Sequence, residues 1–253
     1  MTRSIDLNAD IGEHAGDGAS RDAAILDIVS SASIACGVHA GSRDVMEMTI
    51  KAAIERGVSI GAHPSYPDRE GFGRRELGMP IREILDSVRE QILLLEELCA
   101  KAGTRMSYVK AHGALYNRAA RDTDLASELA RCVASINPKL TMLALSGSVL
   151  EHESRAAGLS VAREAFIDRA YVSDGTLLPR DRPGAVINDA SIAAARAVEM
   201  ARYGAVRSFD GKRVLVTPDS LCVHGDSRNV IEIVTTARRR LEEAGFTIAP
   251  FAV

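Results

Sequence analysis

The chain has 253 residues, 46% of them hydrophobic and 26% charged, with a formal net charge of −3. That balance suits a globular protein of the length of one α/β barrel; it supplies no basic footprint for nucleic acid and no apolar run long enough to span a bilayer. Aromatic residues make up only 4% and tryptophan is absent, so stacking platforms for bases or sugars are not expected.

Met1 to Ser4 leads into the first predicted strand without the apolar core of a signal peptide. Cys36, Cys99, Cys132 and Cys222 form no CxxC pair. The expected setting is therefore a reducing cytoplasm, with neither a disulfide framework nor a zinc ribbon.

The first strand, Ile5 to Glu13, alternates strictly: Ile5, Leu7, Ala9 and Ile11 share one face, and Asp6, Asn8 and Asp10 share the other. Strands of an alternating strand–helix chain are usually covered on both faces, so a polar face is costly unless it borders a site that uses it. Asn8, Asp10 and Glu13 are thus expected to wall an active-site mouth; an edge strand with a solvated face is the alternative. Arg21 to Ala32 then reads as a helix, with Ala24, Ile25, Ile28 and Val29 on one side. Ser33 to Gly41 is the next strand end, and it carries His39. Ser42 can cap the following helix and Gly57 can end it. Val58 to Pro64 repeats the phrase with His63.

A loop from Ser65 to Gly78 carries Arg69, Arg74 and Arg75 among glycines. It can act as a mobile anion clamp or stand as a solvated surface loop. The helix Pro80 to Lys101 has its apolar residues at i, i+3, i+4 spacing. Ser107 to Gly113 brings Lys110 and His112 to another strand end. A helix from about Thr123 to Ile136, a strand Leu140 to Leu145 and a helix ending at Gly158 follow. Leu159 to Glu164 leads into a loop with Asp168, Arg169, Tyr171, Asp174 and Arg180. After a helix from Asp189 to Tyr203, the stretch Arg207 to Val216 turns at Asp210-Gly211 as a hairpin. Leu221 to Asp226 supplies His224, then a helix to Ala244 and a short strand, Phe246 to Phe251, close the chain. No linker interrupts residues 1–253, which read as one domain.

Strands alternating with helices about seven times fit either an open doubly wound sheet or a closed (β/α) barrel. No glycine-rich phosphate loop follows the first strand, and polar residues gather at most strand ends, which favours the barrel. His39, His63, His112 and His224 lie at that one level, where imidazole can do acid–base work or bind metal. Asp10, Glu13, Glu164, Asp168 and Asp226 add carboxylates; their alternative role is helix N-terminal charge, which suits Asp226 best. Asp10, His39 and His63 form an oxygen–nitrogen–nitrogen set fit for a divalent metal, and the same groups can instead serve as hydrogen-bonding acid and base. Lys110 can stabilise an oxyanion or substrate carboxylate, or pair with a neighbouring carboxylate. Cys36 and Cys222 precede His39 and His224 closely, but within apolar runs they read as small core residues rather than nucleophiles.

Read together, several stretches resemble the LamB/YcsF family, described as the A component of the ATP-dependent 5-oxoprolinase: Asp6 to Glu13, Ile34 to Gly41, Gly61 to Asp68, Gly71 to Arg75, Val109 to Asn117, Arg163 to Tyr171 and Cys222 to Asp226. The chain departs from the family pattern at Ala111, where proline usually precedes the histidine, and at His14-Ala15-Gly16. The resemblance implies a distorted seven-stranded, TIM-like barrel related to the glycoside hydrolase/deacetylase superfamily. It further implies hydrolysis of the lactam of 5-oxo-L-proline to L-glutamate, with ATP and Mg2+ serving the overall reaction and two partner subunits, B and C, activating the lactam. Asp10, Glu13, His39, His63, Lys110, His112, Glu164 and His224 are then the expected catalytic set, with Asp10, or Glu164 in second place, as the base. Asn8, Arg74, Arg75, Tyr116, Asn117, Asp168 and Arg169 are the expected substrate contacts. The rival readings are a stand-alone metal-dependent amidohydrolase or deacetylase and a regulatory protein that binds a metabolite without turnover. Assembly of several copies of the chain is open in each.

Overall fold

The structure, a computed structural model, describes residues 3–13, 17–226 and 229–252. The departure at His14-Ala15-Gly16 lies outside the described residues. In chain order the elements are β1 (Arg3–Ile11), α1 (Asp17–Leu26), β2 (Ser31–Ala35), α2 (Arg43–Arg56), β3 (Ser59–His63), α3 (Ile81–Lys101), β4 (Tyr108–Val109), α4 (Gly113–Ala119) and α5 (Thr123–Ile136). They continue with β5 (Thr141–Leu145), α6 (Val149–Ala156), β6 (Ser160–Phe166), α7 (Ala190–Tyr203), β7 (Ala205–Arg207), β8 (Arg213–Leu215), β9 (Ser220–Val223), α8 (Val230–Glu243) and β10 (Phe246–Ile248). No helix among the described residues is long and apolar enough to cross a membrane.

Among the described residues, β1, β2, β3, β4, β5, β6 and β9 pair in that order, and β9 pairs back to β1, closing a parallel barrel of seven strands. The barrel expected from the alternation is therefore found. β1 is no edge strand: it pairs with β2 through Asn8 to Ile11, with β9 through Asp6 to Ala9, and with β10 through Arg3 to Ile5. β7 and β8 form the expected antiparallel hairpin outside the ring.

The period of two in β1 decides what fills the barrel. Ile5, Leu7, Ala9 and Ile11 belong to the apolar core between strands and helices, while Asp6, Asn8 and Asp10 meet side chains of other strands across the interior. The interior is filled in layers. Farthest from the mouth, Tyr108, Leu143 and Ala162 pack together under Phe251, and Gly61 makes room for the Tyr108 ring, which a Cβ there would strike at 2.2 Å. Asp6 sits nearby, accepting from the hydroxyls of Ser30, Ser31 and Ser220. Asn8 comes next, donating to Glu164 at 3.0 Å and Ser220 at 2.7 Å. Asp10 tops the stack.

The helices wrap this ring by the expected signals. Ser42 Oγ accepts from the Val45 N–H at the start of α2, and Gly57 ends it with φ +65°, a conformation that glycine adopts without Cβ strain. Three details depart from the sequence reading. The first helix ends at Leu26 instead of Ala32, because Ser31 and Ala32 pair with Asn8 and Ala9 as the start of β2; strand pairing outweighs the apolar periodicity. The turn α4 directly after His112 is not announced by the sequence, its seven residues being too few for the pattern to show. The last strand stops at Ile248 and joins the ring only at the outer end of β1.

Candidate functional site

The carboxyl ends of the strands open into a cavity of about 800 Å³, walled in part by Asp10, His63, Arg74, Lys110, His112, Tyr116, Asn117, Arg169 and His224. This is the face where barrel enzymes place their chemistry. Of the other expected site residues, Asn8, Glu13, His39, Glu164 and Asp168 lie behind that wall, and Arg75 turns away from it.

Lys110 is the centre of the buried charge. β4 is only two residues long, and its continuation drops Lys110 into the barrel axis. There Nζ lies 2.7 Å from Asp10 Oδ1, 2.8 Å from Glu164 Oε1, 3.1 Å from Cys222 Sγ and 3.4 Å from Asn8 Oδ1. Burial alone would pull the ammonium toward neutrality, but Asp10, Cys222 and Glu164 outweigh it and hold its pKa well above the usual lysine range. For Asp10 burial works upward, and His63 with Lys110 reverses it, leaving the carboxyl well below the ordinary value. With these partners the ammonium has no direction left for a substrate oxygen, so of the two roles open to Lys110 the geometry supports the carboxylate pair. Glu164, fully buried, also accepts from Tyr116 Oη at 2.8 Å; it is a holder of Lys110 and Tyr116 with no path to the cavity. The thiols are not poised for attack: burial raises Cys36 to about 12 and Cys222 well above its usual range.

Three histidines pack beside Asp10. His63 Nδ1 lies 2.8 Å from the Lys110 carbonyl oxygen, and His63 Nε2 lies 3.4 Å from Asp10 Oδ2 and 2.9 Å from His112 Nδ1. His112 Nε2 lies 2.9 Å from the Phe72 carbonyl oxygen. His39 stacks on His112 with ring centres 4.0 Å apart, and its Nε2 is 3.7 Å from Glu13 Oε1. Neither ring nitrogen of His39 has a hydrogen-bond partner in the described structure. Burial, then the charge of His63, lowers His39 to about 3, and burial with His39 and His63 lowers His112 well below its usual value. Burial followed by the Asp10 charge pushes Glu13 well above the ordinary carboxyl range. Two sets of ligand-type atoms result, Asp10–His63–His112 and Glu13–His39–His112, each within 4.8 Å. The expected trio of Asp10, His39 and His63 is thus divided: His39 falls on the Glu13 side, and His112, reaching over from the neighbouring strand end, takes its place.

On another wall, His224 Nδ1 lies 3.0 and 3.1 Å from the two oxygens of Asp168, which also accepts from the His224 backbone N–H. Burial would raise Asp168, but the His224 contacts bring it down to about 2. Asp168, fully buried, is therefore the partner that orients His224 rather than a substrate contact. The His224 ring stacks on Phe166 at 5.1 Å.

The arginines divide. Arg74 pairs with Asp226 and lies over the Phe72 ring at 4.9 Å, at the cavity wall. Arg75 pairs with Asp68, its Nε 2.9 Å from Oδ1, and projects outward. Its expected substrate role is lost to this short-range pair. Arg169 gives its guanidinium to the carbonyls of Leu178 and Ala185, and burial, then Arg180, lowers it to about 10. Asp226 pairs with Arg74 and, at 3.8 Å, with Arg180, so its charge serves the mouth and not a helix end. Arg180, Phe166 and Phe72 were not singled out from the sequence. Phe166 follows Glu164 by two in β6 and so faces inward, which the alternation could have revealed. Phe72 acts through its backbone, at φ +55°, and no residue pattern announces that.

Residues 5–253 match the LamB/YcsF family. The A component of 5-oxoprolinase from Heliobacterium modesticaldum is 47% identical over 247 residues, 96% of each chain. The crystal structure of a lactam utilization protein from Thermus thermophilus superposes with a TM-score of 0.91 at 42% identity, covering 98% of this chain and 100% of the other. A peptidoglycan deacetylase from Bacillus subtilis, at 11% identity, shares the fold with a TM-score of 0.51, covering 98% of this chain and 87% of the other.

Proposed function

This chain belongs to the LamB/YcsF family, and on that premise we propose that it is the ring-opening component of an ATP-dependent 5-oxoprolinase, the A component of an assembly with subunits B and C. Relatives of nearly full length carry that name. The single observation on which the chemistry rests is a cavity wall carrying both the Asp168–His224 pair and a buried, ionised Asp10.

A five-membered lactam is a poor electrophile. In this reading the partner subunits transfer a phosphoryl group from ATP, with Mg2+, to the lactam carbonyl oxygen. Water then adds at that carbon, the ring C–N bond breaks, and the ring nitrogen gains a proton. A second water releases phosphate and leaves L-glutamate. His224 suits the proton transfers: Asp168 fixes Nδ1–H, which leaves Nε2 to accept a proton from water and return it to the leaving nitrogen. Arg74 and Arg180, at the cavity wall, suit the carboxylate or phosphoryl oxygens of the incoming ring. Glu164 is reassigned from reserve base to holding Lys110, and Lys110 holds Asp10 in the ionised state. Tyr116 and Asn117 complete the wall.

The test is glutamate formation from 5-oxoproline and ATP by the purified chain combined with subunits B and C. The complete set is expected to form glutamate, and His224→Gln to slow it by roughly 10²–10⁴-fold. No glutamate from the complete set would overturn the reading.

A further inference from the structure

Two imidazole nitrogens meet inside the mouth where neither can donate. The far nitrogen of each ring faces a backbone carbonyl, His63 Nδ1 toward Lys110 at 2.8 Å and His112 Nε2 toward Phe72 at 2.9 Å. A carbonyl oxygen only accepts, so the proton of each neutral ring sits on that far nitrogen. The lone pairs of His63 Nε2 and His112 Nδ1 are left facing each other 2.9 Å apart, in a buried place where they repel unless a cation lies between them. Asp10 Oδ2 stands 3.4 Å from His63 Nε2, while its other oxygen is fixed by Lys110.

We infer that Asp10, His63 and His112 form a binding site for one divalent transition-metal ion of the zinc, cobalt or manganese class. The inference deepens the proposed function by assigning a cofactor to the same mouth, but it stands on the geometry of these side chains and not on the identity of the substrate. Four observations support it. Two nitrogens on one ion at ~2.0–2.1 Å are about 2.9–3.4 Å apart for ordinary bond angles, the separation found here. One carboxylate with two imidazoles suits borderline divalent ions. Each ring is braced by an N–H to a backbone carbonyl, the support that metal-binding histidines have. His39 is buried, stacked on His112 and unpartnered at both nitrogens in the described structure, so further donor capacity adjoins the same point through Glu13 and His39. A bound ion would polarise a substrate oxygen or water.

The experiment measures metal and not turnover. The chain is purified without added metal, stripped with a chelator and titrated with Zn2+ and with Co2+ by calorimetry, with the visible spectrum of the Co2+ form recorded. One equivalent is expected to bind, raise the melting temperature and give a spectrum with nitrogen ligands. Asp10→Asn and His112→Gln are each expected to weaken binding by roughly 100-fold or more, with circular dichroism showing that the fold persists. X-ray absorption of the Zn2+ form of the unsubstituted protein should show two imidazoles, which keeps the test open if a variant fails to fold. Binding of less than one-tenth of an equivalent, or binding that both variants leave unchanged, would overturn the inference. So would an imidazolium proton shared by the two rings, seen by nitrogen NMR in excess Zn2+. Metal content judges this site and glutamate formation judges the lactam reading, so the failure of one is visible apart from the other.

Discussion

At the scale of single residues, the mouth depends on one ammonium among carboxylates. Lys110 lies against Asp10 and Glu164 with almost no solvent contact, and removing one partner of a buried ion pair costs about 3–5 kcal/mol, because the charge left behind has neither water nor counterion. Lys110→Met should therefore lower unfolding free energy by about that amount in urea titrations. Adding Glu164→Gln should recover part of the loss, since one of the two stranded charges disappears. A loss under about 1 kcal/mol for the single variant, or strict additivity in the pair, would show that the ion pair does not carry this weight. Much of this was legible beforehand: Lys110 stands inside a strand-end motif, and Asp10 belongs to a polar strand face that has to be accounted for. What could not be read was which partner each residue takes. Arg75 looks as available as Arg74 in the sequence, yet Asp68, seven positions earlier, captures it. Asp168 reads as a cavity residue until His224, 56 positions later, is seen to close over it.

Among elements, the segment from Pro67 to Gly78 shows why strands were easier to foresee than loops. Strand ends were legible through alternation and histidine placement, because period-two patterning is a property of side chains. The loop works through its backbone. Phe72 at φ +55° aims its carbonyl at His112 Nε2. Next to it, Gly73 at φ +66° leaves no space: a Cβ would come within 2.2 Å of Ser65 Oγ and 2.8 Å of the His112 ring. Gly73→Ala therefore combines a positive-φ penalty with displacement of His112. It should reduce glutamate formation by at least tenfold while the far-ultraviolet circular dichroism stays unchanged; full activity would show that the loop does not set the His112 position. The overlong first helix has a related cause, since apolar periodicity cannot show where a neighbouring strand will claim the chain.

For the molecule as a whole, the polar interior links stability to pH at the end remote from the cavity. Burial raises Asp6 from 3.8 to about 6 against the opposing hydrogen bonds of Ser220, Ser30 and Ser31. A carboxyl whose folded pKa exceeds its unfolded value binds its proton more tightly when folded, so its stabilising effect is complete below about pH 4 and is lost as pH rises through about 6. About 3 kcal/mol is at stake across that window. Asp6→Asn should remove this dependence: the difference in urea unfolding free energy between the two proteins should change by about that amount from pH 4 to pH 7, and a constant difference would refute it. The remote end has a kinetic consequence as well. Tyr108, Leu143 and Ala162 stop the barrel there under Phe251, so the interior is a cul-de-sac. Whatever enters must back out through its own entrance. Glutamate that lingers would then compete directly with the next arrival, and a partner delivering cargo at that doorway would have to release its grip once per cycle.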